Sequence, residues 1–242
     1  MPETAIAIVC KTPQPGLSKT RLIPRLGPDR AAALARAFLI DIAEGIQSLC
    51  AEWDVAGYAV CSPAEAAAQL ATFLPRDFGY AVHTNANLGR VLAGAVDDLR
   101  DRGHANVVLV NGDSPTMPPG LLAQAVAALR RPGRRAVFGP AVDGGYYLVG
   151  LNHSEPRIFE DIPWSTPAVM TASLEKAEAI GLPVEQLGHW YDVDDAESFD
   201  LLLAEFAGRR PEGVDPGVEA GPGRATRALL AGTNRGPMAP SA

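Results

Sequence analysis

Two aspartates, Asp113 and Asp194, are the residues of this chain best suited to hold a divalent cation. Each follows a predicted extended segment and is flanked by residues that interrupt regular structure. Two carboxylates that meet at the edge of a sheet can share one cation, and Mg²⁺ is commonly bound by one or two carboxylates together with substrate phosphates. The pair therefore predicts a Mg²⁺ or Mn²⁺ site.

A competing interpretation is that each aspartate caps the helix that follows it. Asp195 stands directly before an apolar helical segment, Ala196–Phe206, and is a better cap than Asp194. This leaves Asp194 available to a metal. For Asp113, the neighbouring Ser114 and Pro115 can serve the turn instead.

A basic loop, residues 10–22, follows the first predicted strand, Ala5–Val9. Lys19 and Arg21 lie two positions apart, so both side chains can point to one side of an extended loop. Arg binds phosphate through two parallel hydrogen bonds, whereas Lys acts as a point charge. Such a pair is often a solvated surface, but its place after the first strand of an acidic chain favours phosphate binding. The residues predicted to bind a nucleotide or its phosphates are Lys11, Pro15, Gly16, Lys19, Thr20 and Arg21.

Apolar strands alternate with helical segments up to about residue 206. The strands are predicted at Ala5–Val9, Val55–Cys61, Tyr80–Val82, Ala105–Val110, Arg135–Gly139 and Tyr146–Gly150, with a late extended segment ending at Asp195. This alternation is typical of βαβ units and predicts an α/β fold with a mostly parallel central sheet flanked by helices. In such sheets phosphate-bearing ligands bind outside the carboxyl ends of the strands, where the basic loop and Asp113 are expected.

Composition excludes several classes of partner. The chain has 242 residues and a net charge of −7, whereas nucleic-acid binders usually carry a basic surface. No apolar run is long enough to span a bilayer, and Met1–Thr4 lacks the features of a secretory signal. The three cysteines have no metal-like spacing and are expected to be reduced. We therefore expect a cytoplasmic protein that binds neither nucleic acid nor membrane, whose oligomeric state the sequence leaves open.

The composition changes at Gly208. The residues from there to Ala242 include seven glycines and five prolines and show no sustained apolar period. Such a segment buries too little surface to offset the entropy of ordering it. We predict one domain over residues 1–207 and a disordered tail over residues 208–242, with docking of the tail as the alternative.

Five motifs occur in the order found in one bacterial family. They are Lys11–Leu22, Asn111–Pro115, Asp143–Leu148, Pro163–Thr166 and Tyr191–Asp194. Through them the chain resembles the bacterial glycosyltransferase-like family of unknown function that is associated with arsenosugar biosynthesis. That family is similar to the nucleotide-diphospho-sugar transferase superfamily, and the resemblance covers about residues 5–206. The motifs are also similar to those of phospholactate guanylyltransferases.

The resemblance implies that residues 1–207 adopt the Rossmann-like glycosyltransferase A fold. It implies that Lys19 and Arg21 contact nucleotide phosphates and act in catalysis, and that Asp113 holds the metal while Asp194 completes its coordination. Asp113 is then a catalytic residue as well. The turn Asp143–Gly145 is implied to lie near the acceptor or the sugar. Asn87 stands where the family usually has an aspartate.

Aromatic and hydroxyl residues complete the predicted substrate site. Trp164 can stack on a base or sugar, or it can be buried between helices. Tyr146 and Tyr147 alternate on a strand, so one is expected in the core and the other in the cleft. Ser165 or Thr166 can also cap the following helix. The residues predicted to bind substrate are Asp143, Gly144, Gly145, Tyr146, Trp164, Ser165 and Thr166.

These features favour a Mg²⁺-dependent glycosyltransferase-like enzyme that moves a sugar from a nucleotide-diphospho-sugar to a small-molecule acceptor. The alternative is a nucleotidyltransferase, which joins a nucleoside triphosphate to a phosphorylated acceptor and releases pyrophosphate. A further alternative is a non-catalytic nucleotide-binding protein. All three predict a nucleotide or nucleotide-sugar as the ligand.

Overall fold

A seven-stranded sheet forms the centre of the protein. The computed structural model describes residues 1–50 and 52–232. The strands are β1 (Thr4–Val9), β2 (Val55–Cys61), β3 (Gly79–Val82), β4 (Asn106–Asn111), β5 (Ala136–Pro140), β6 (Tyr146–Leu151) and β7 (Val184–Gln186). Their order across the sheet is β3-β2-β1-β4-β6-β5-β7. All pairs are parallel except those that β6 makes with β4 and β5, so the predicted mostly parallel sheet is confirmed.

Eight α-helices surround this sheet in the described part of the chain. They are α1 (Ile23–Leu26), α2 (Pro28–Cys50), α3 (Ala64–Leu70), α4 (Leu88–Asp101), α5 (Pro119–Leu129), α6 (Val169–Ala179), α7 (Ala196–Phe206) and α8 (Arg224–Ala231). Within the described residues, no helix is long and apolar enough to cross a membrane.

Strand β1 shows that both faces of the sheet are covered. Its side chains alternate in direction, and Ile6 and Ile8 enter the core beneath α2, α3, α5 and α7. Ala5 and Ala7 enter the second core, beneath α4 and α6. A strand buried on both faces reads as a continuous apolar run in the sequence, which is why β1 is predicted so readily.

The register of β1 and β4 positions the candidate site. Val9 at the end of β1 pairs with Asn111 at the end of β4. The chain therefore leaves two adjacent parallel strands at the same level, and the basic loop after β1 begins beside the loop that carries Asp113. The antiparallel strand β6 starts at this same edge, because Leu148 pairs with Val110.

Asp195 caps α7, as its place in the sequence predicts. Its side chain accepts a hydrogen bond from the backbone N–H of Ser198 at 3.0 Å, and Ser198 Oγ accepts one from the N–H of Asp195 at 3.0 Å. This reciprocal pair is a capping box. Asp194 is therefore not needed as the cap.

The C-terminal segment, residues 208–232, differs from the predicted disordered tail because it contains α8, which packs along α2. Asp41 of α2 accepts hydrogen bonds from Ala225 N at 2.7 Å, Thr226 N at 2.9 Å and Thr226 Oγ1 at 2.6 Å. The short helix α8 is thus capped at its N-terminus by Asp41, a residue distant in sequence. The composition of the segment itself does not reveal this contact. Residues 233–242 of the predicted tail lie outside the described residues.

Candidate functional site

The basic loop reaches the cleft through a left-handed backbone conformation at Lys19. Its φ of +47° directs the chain into a short 3₁₀ turn, Thr20–Leu22. Leu22 is fully buried and anchors this turn in the core. Before the turn, Gln14 N donates to Ser18 Oγ at 2.9 Å. The loop is therefore fixed at both ends of the segment that carries Lys19.

Lys19 is the centre of the site. Its Nζ lies 2.5 Å from Asp113 Oδ1 and 2.8 Å from Asp194 Oδ1. It also donates to the carbonyl oxygen of Val193 at 2.6 Å. The structure thus brings together the three residues on which the sequence prediction depends, from the loop after β1, the loop after β4 and the segment before α7.

A backbone hydrogen bond joins the two loops that carry the carboxylates. Val193 N donates to the carbonyl oxygen of Asp113 at 2.9 Å. Val193 itself is fully buried. Asp113 and Asp194 are thereby held in fixed relative positions by the main chain, independently of Lys19.

Burial and charge act in opposite directions on Lys19. Its side chain is only 6% exposed, and burial by itself would lower the pKa of its ammonium group. The negative charges of Asp113 and Asp194, with their hydrogen bonds, outweigh this, and the pKa of Lys19 is raised. The side chain of Lys19 is therefore a positively charged ammonium group.

Asp113 and Asp194 fit a divalent cation by the chemistry of their oxygens. Their side chains are 41% and 47% exposed, and the Oδ1 atoms of both contact the same nitrogen, so both oxygens are within reach of one cation. Among the described residues, no group of three or more His, Cys, Asp and Glu could by itself hold a metal. Two carboxylates completed by substrate oxygens are a common arrangement for Mg²⁺.

Asp192 is a further carboxylate in the cleft that the sequence prediction did not include. Burial, followed by the charges of Asp143, Asp194 and Asp113, raises the pKa of Asp192 to about 7. Its spacing from Asp194 was a usable signal, because alternate residues of an extended segment face the same side. The cleft is therefore more acidic than the predicted pair alone suggests.

A cleft of about 1000 Å³ opens at the carboxyl ends of β1, β2 and β4. Twelve of the predicted site residues line it: Lys11, Lys19, Thr20, Arg21, Asp113, Asp143, Gly145, Tyr146, Trp164, Ser165, Thr166 and Asp194. Pro15, Gly16 and Gly144 are not among the lining residues. Cys10 and His83 line it although the sequence did not indicate them.

Arg21 is a cation that can meet a ligand in the cleft. It is exposed and lines the cleft. Its guanidinium makes no hydrogen bond or ion pair with another residue in the described part of the chain. Lys19, by contrast, has three protein oxygens within 2.8 Å of its Nζ. The two predicted phosphate ligands are therefore not equivalent.

The Asp143–Gly145 turn forms another wall of the cleft. Gly145 N donates to Asp143 Oδ1 at 2.9 Å. Gly144 has a φ of +91°, and a Cβ at this position would lie 2.2 Å from the carbonyl oxygen of Pro167. Gly144 thus supports the site through the backbone, by letting the turn approach the loop before α6. Its carbonyl also accepts from Met170 N at 2.9 Å.

An aromatic pair, Tyr146 and Trp164, lies beside this turn. Their rings meet edge to face with centroids 6.2 Å apart, and both residues line the cleft. Tyr147 is fully buried, whereas Tyr146 lines the cleft and also packs against the second core. The Tyr146 hydroxyl is buried without a hydrogen-bond partner among the described residues, and burial raises its pKa.

The helix cap predicted at Ser165 or Thr166 is wrong. Ala168, not Ser165 or Thr166, is the N-cap residue of α6, and it makes no side-chain cap. Thr166 Oγ1 instead accepts a hydrogen bond from Ala168 N at 3.3 Å within the preceding turn. Asn87 accepts from Arg90 N at 3.1 Å and caps α4, so an amide serves this position structurally.

Several solved structures are similar to this chain. A protein from Desulfovibrio desulfuricans G20, named as a candidate nucleotide-diphospho-sugar transferase, is 29% identical, with a TM-score of 0.79 and coverage of 97% of this chain and 96% of that chain. CMP:2-keto-3-deoxy-manno-octonic acid synthetase in complex with CTP is 11% identical, with a TM-score of 0.55 and coverage of 85% and 99%. A manganese complex of a Mycobacterium tuberculosis H37Rv protein is 15% identical, with a TM-score of 0.50 and coverage of 83% and 98%.

The sequence comparisons add one family. The model for proteins described as "Uncharacterized protein conserved in bacteria (DUF2064)" matches residues 46–166, which is half of the chain. No curated protein matches the sequence. The predicted resemblance and the Rossmann-like α/β fold of the nucleotide-diphospho-sugar transferases are confirmed. The match to the D. desulfuricans protein also extends beyond residue 207, because 97% of the chain is covered.

Proposed function

The chain belongs to the DUF2064 family of bacterial proteins, and from this premise we propose that it is a Mg²⁺-dependent glycosyltransferase-like enzyme. It transfers a sugar from a nucleotide-diphospho-sugar to a small-molecule acceptor. One observation carries the proposal: Asp113, Asp194 and Lys19 converge in an open cleft at the carboxyl ends of β1 and β4. The 29% identical protein named as a candidate nucleotide-diphospho-sugar transferase supports the same class of reaction.

The basic loop binds the diphosphate in this proposal. Arg21 is exposed at the cleft, and its planar guanidinium matches two phosphate oxygens. Lys11 lies in the same loop and also lines the cleft, where it adds a second exposed positive charge. Both residues stabilise the negative charge that grows on the diphosphate as the bond to the sugar breaks.

Asp113 and Asp194 hold the metal ion in this proposal. A bound Mg²⁺ or Mn²⁺ would neutralise charge on the departing diphosphate. The protein's own contribution is to keep the two carboxylates fixed, through the Val193–Asp113 backbone bond and through the capping box that begins α7 directly after Asp194. Preorganisation of this kind avoids a reorganisation cost during the reaction.

The wall formed by the Asp143–Gly145 turn receives the sugar and the acceptor in this proposal. Asp143 is exposed and can accept a hydrogen bond from a hydroxyl group. Tyr146 and Trp164 offer ring surfaces of the kind that pack against sugars, and Ser165 and Thr166 are exposed beside them. This wall is distinct from the basic loop, as transfer between two substrates requires.

The proposal is tested by incubating the protein with Mg²⁺ and a panel of nucleotide-diphospho-sugars that differ in base and sugar. The expected result is release of nucleoside diphosphate, measured by ³¹P NMR. Because the sugar can be transferred slowly to water, the assay does not require the acceptor to be known. Parallel reactions with nucleoside triphosphates and small phosphate esters test nucleotidyl transfer. Pyrophosphate in those reactions, without nucleoside diphosphate in the first, would replace the proposal with a nucleotidyltransferase.

A matched pair of variants controls this experiment. Asp113→Asn removes a carboxylate of the site, whereas Asp200→Asn removes one that pairs with Arg25 outside the cleft, at 2.7 Å. Only the first is expected to abolish product release. Nucleotide binding by calorimetry with no turnover on any substrate would favour the non-catalytic alternative.

A further inference from the structure

The contacts of Lys19 conflict with its predicted role as a phosphate ligand. A lysine that binds phosphate must offer at least one N–H group to the ligand. Lys19 Nζ donates hydrogen bonds to Asp194 Oδ1 and to the carbonyl oxygen of Val193 and forms an ion pair with Asp113 Oδ1, so three protein oxygens lie within 2.8 Å of the ammonium nitrogen. Lys19 must therefore leave at least one protein oxygen before it can bind a phosphate.

The position of the ammonium group also conflicts with a metal ion bound to Asp113 and Asp194. Its nitrogen lies between the same two oxygens that a shared divalent cation would use. A Mg²⁺ ion sits about 2.1 Å from its oxygen ligands, so an ammonium group that stayed in place would be in close contact with the metal. Like charges at that separation repel strongly in a partly buried site. The lysine and the metal are thus competitors for one location.

An aromatic ring also stabilises the ammonium group of Lys19 between the two carboxylates. It lies 5.3 Å from the centre of the Phe38 ring, which is fully buried in α2. A cation over an aromatic ring is attracted by the ring's negative face. The Phe38 ring therefore adds to the contacts that hold the ammonium group between the two carboxylates.

We infer that Lys19 is an exchangeable internal cation, which neutralises Asp113 and Asp194 until a divalent metal displaces it and frees it to bind the ligand's phosphate. The inference deepens the proposed function and rests on it for the identity of the ligand. Lysine suits this exchange, because its charge is carried on a flexible four-carbon stem with rotatable donors. The backbone bond between Val193 and Asp113 keeps the carboxylates together after Lys19 leaves.

Chemical labelling of the lysines tests the exchange with metal alone. The chain has three lysines, Lys11, Lys19 and Lys176, so acetylation by a small anhydride can be followed at each by mass spectrometry. Lys19 is nearly inaccessible and hydrogen-bonded, so it should react far more slowly than the exposed Lys11. Saturating Mn²⁺, with binding measured in the same sample by electron paramagnetic resonance, should accelerate labelling of Lys19 several-fold and leave Lys11 and Lys176 unchanged.

Adding a nucleoside diphosphate to the Mn²⁺-loaded protein should protect Lys19 again. Labelling of Lys19 that stays slow while Mn²⁺ is bound would overturn the inference, because the lysine and the metal would then coexist. Absence of Mn²⁺ binding would overturn it as well. Neither result depends on transfer, so a protein that frees Lys19 with metal but turns over no substrate would contradict the proposed function alone.

The affinity for Mn²⁺ alone provides a second test. Lys19→Met removes the competitor and should tighten Mn²⁺ binding in the absence of nucleotide. Arg21→Met and Lys11→Met each remove one positive charge from the same cleft, and they measure the general electrostatic effect. Equal changes in all three variants would show that Lys19 acts only through its charge and would contradict displacement, as would weaker Mn²⁺ binding by Lys19→Met.

Discussion

Val193 donates its backbone N–H to the carbonyl oxygen of Asp113 at 2.9 Å, across a sequence separation that no local pattern bridges. This bond joins the loop after β4 to the segment before α7 immediately beside both candidate metal ligands. It explains why two aspartates far apart in sequence can work as one site. It also makes the site sensitive to whatever holds these two segments in place.

Replacement of either candidate metal ligand should reduce turnover strongly. We expect Asp113→Asn or Asp194→Asn to lower the rate of nucleoside diphosphate release about 10²–10³-fold, as loss of one electrostatic partner in a preorganised site typically does. Mn²⁺ affinity, measured by electron paramagnetic resonance, should fall in parallel. Normal turnover together with normal Mn²⁺ affinity in Asp113→Asn would exclude Asp113 as a ligand.

Asp41→Ala should destabilise the protein by loosening α8. Asp41 is 7% exposed and accepts three hydrogen bonds at the start of that helix, and leaving buried donors without a partner costs about 1–3 kcal/mol. Urea denaturation should show a lower midpoint. Glu44→Ala, an exposed position on the same helix, is the control and should leave the midpoint unchanged. Equal stability of the two variants would mean that α8 does not depend on this cap.

Gly144→Ala should impair the site by two separable effects. The positive φ of +91° disfavours a side chain, and the new Cβ would meet the carbonyl oxygen of Pro167 at 2.2 Å. Gly181 also has a positive φ, +64°, but open space around it. Gly181→Ala should therefore reduce the free energy of unfolding by about 1–2 kcal/mol through backbone strain alone. Gly144→Ala should reduce it by clearly more, as measured by thermal unfolding. A similar loss of stability in both variants would show that the backbone at Pro167 moves to accept the new Cβ at little cost.

Glu155 should contribute to stability at neutral pH and not in acid. Its nearly buried carboxylate accepts from Arg157 Nε at 2.6 Å and Nη2 at 2.7 Å. The hydrogen bonds from Arg157 lower the pKa of Glu155 in the folded protein. A lowered folded pKa means that the stabilisation is complete above the unfolded pKa, about 4.3, and is lost as the pH falls through the folded pKa.

Glu155→Gln should accordingly cost about 1–2 kcal/mol at pH 7, measured by urea denaturation. The difference from the wild type should shrink steadily below the unfolded pKa. Glu160→Gln removes an exposed carboxylate near the same arginine and serves as the control with a smaller effect. A difference that did not change with pH would assign the effect to packing.

Much of the fold follows from local patterns in the chain. The buried strands β1 and β4 are continuous apolar runs, because both of their faces are covered, and such runs are conspicuous in a sequence. The cap at Asp195 is a local arrangement of residues and is equally predictable. The C-terminal segment is not, because α8 takes its cap from Asp41, whose carboxylate is adjacent only after folding.

The candidate site divides in the same way. The sequence by itself determined which residues are candidates for the chemistry, since Lys19, Arg21, Asp113 and Asp194 follow predicted strands whose carboxyl ends share one edge of a parallel sheet. Only the tertiary structure decided how they are paired: Lys19 contacts both aspartates, Arg21 stays exposed, and Asp192 joins the acidic cluster. Ion pairs depend on distances of a few ångströms between distant segments, and sheet register and loop contacts set those distances.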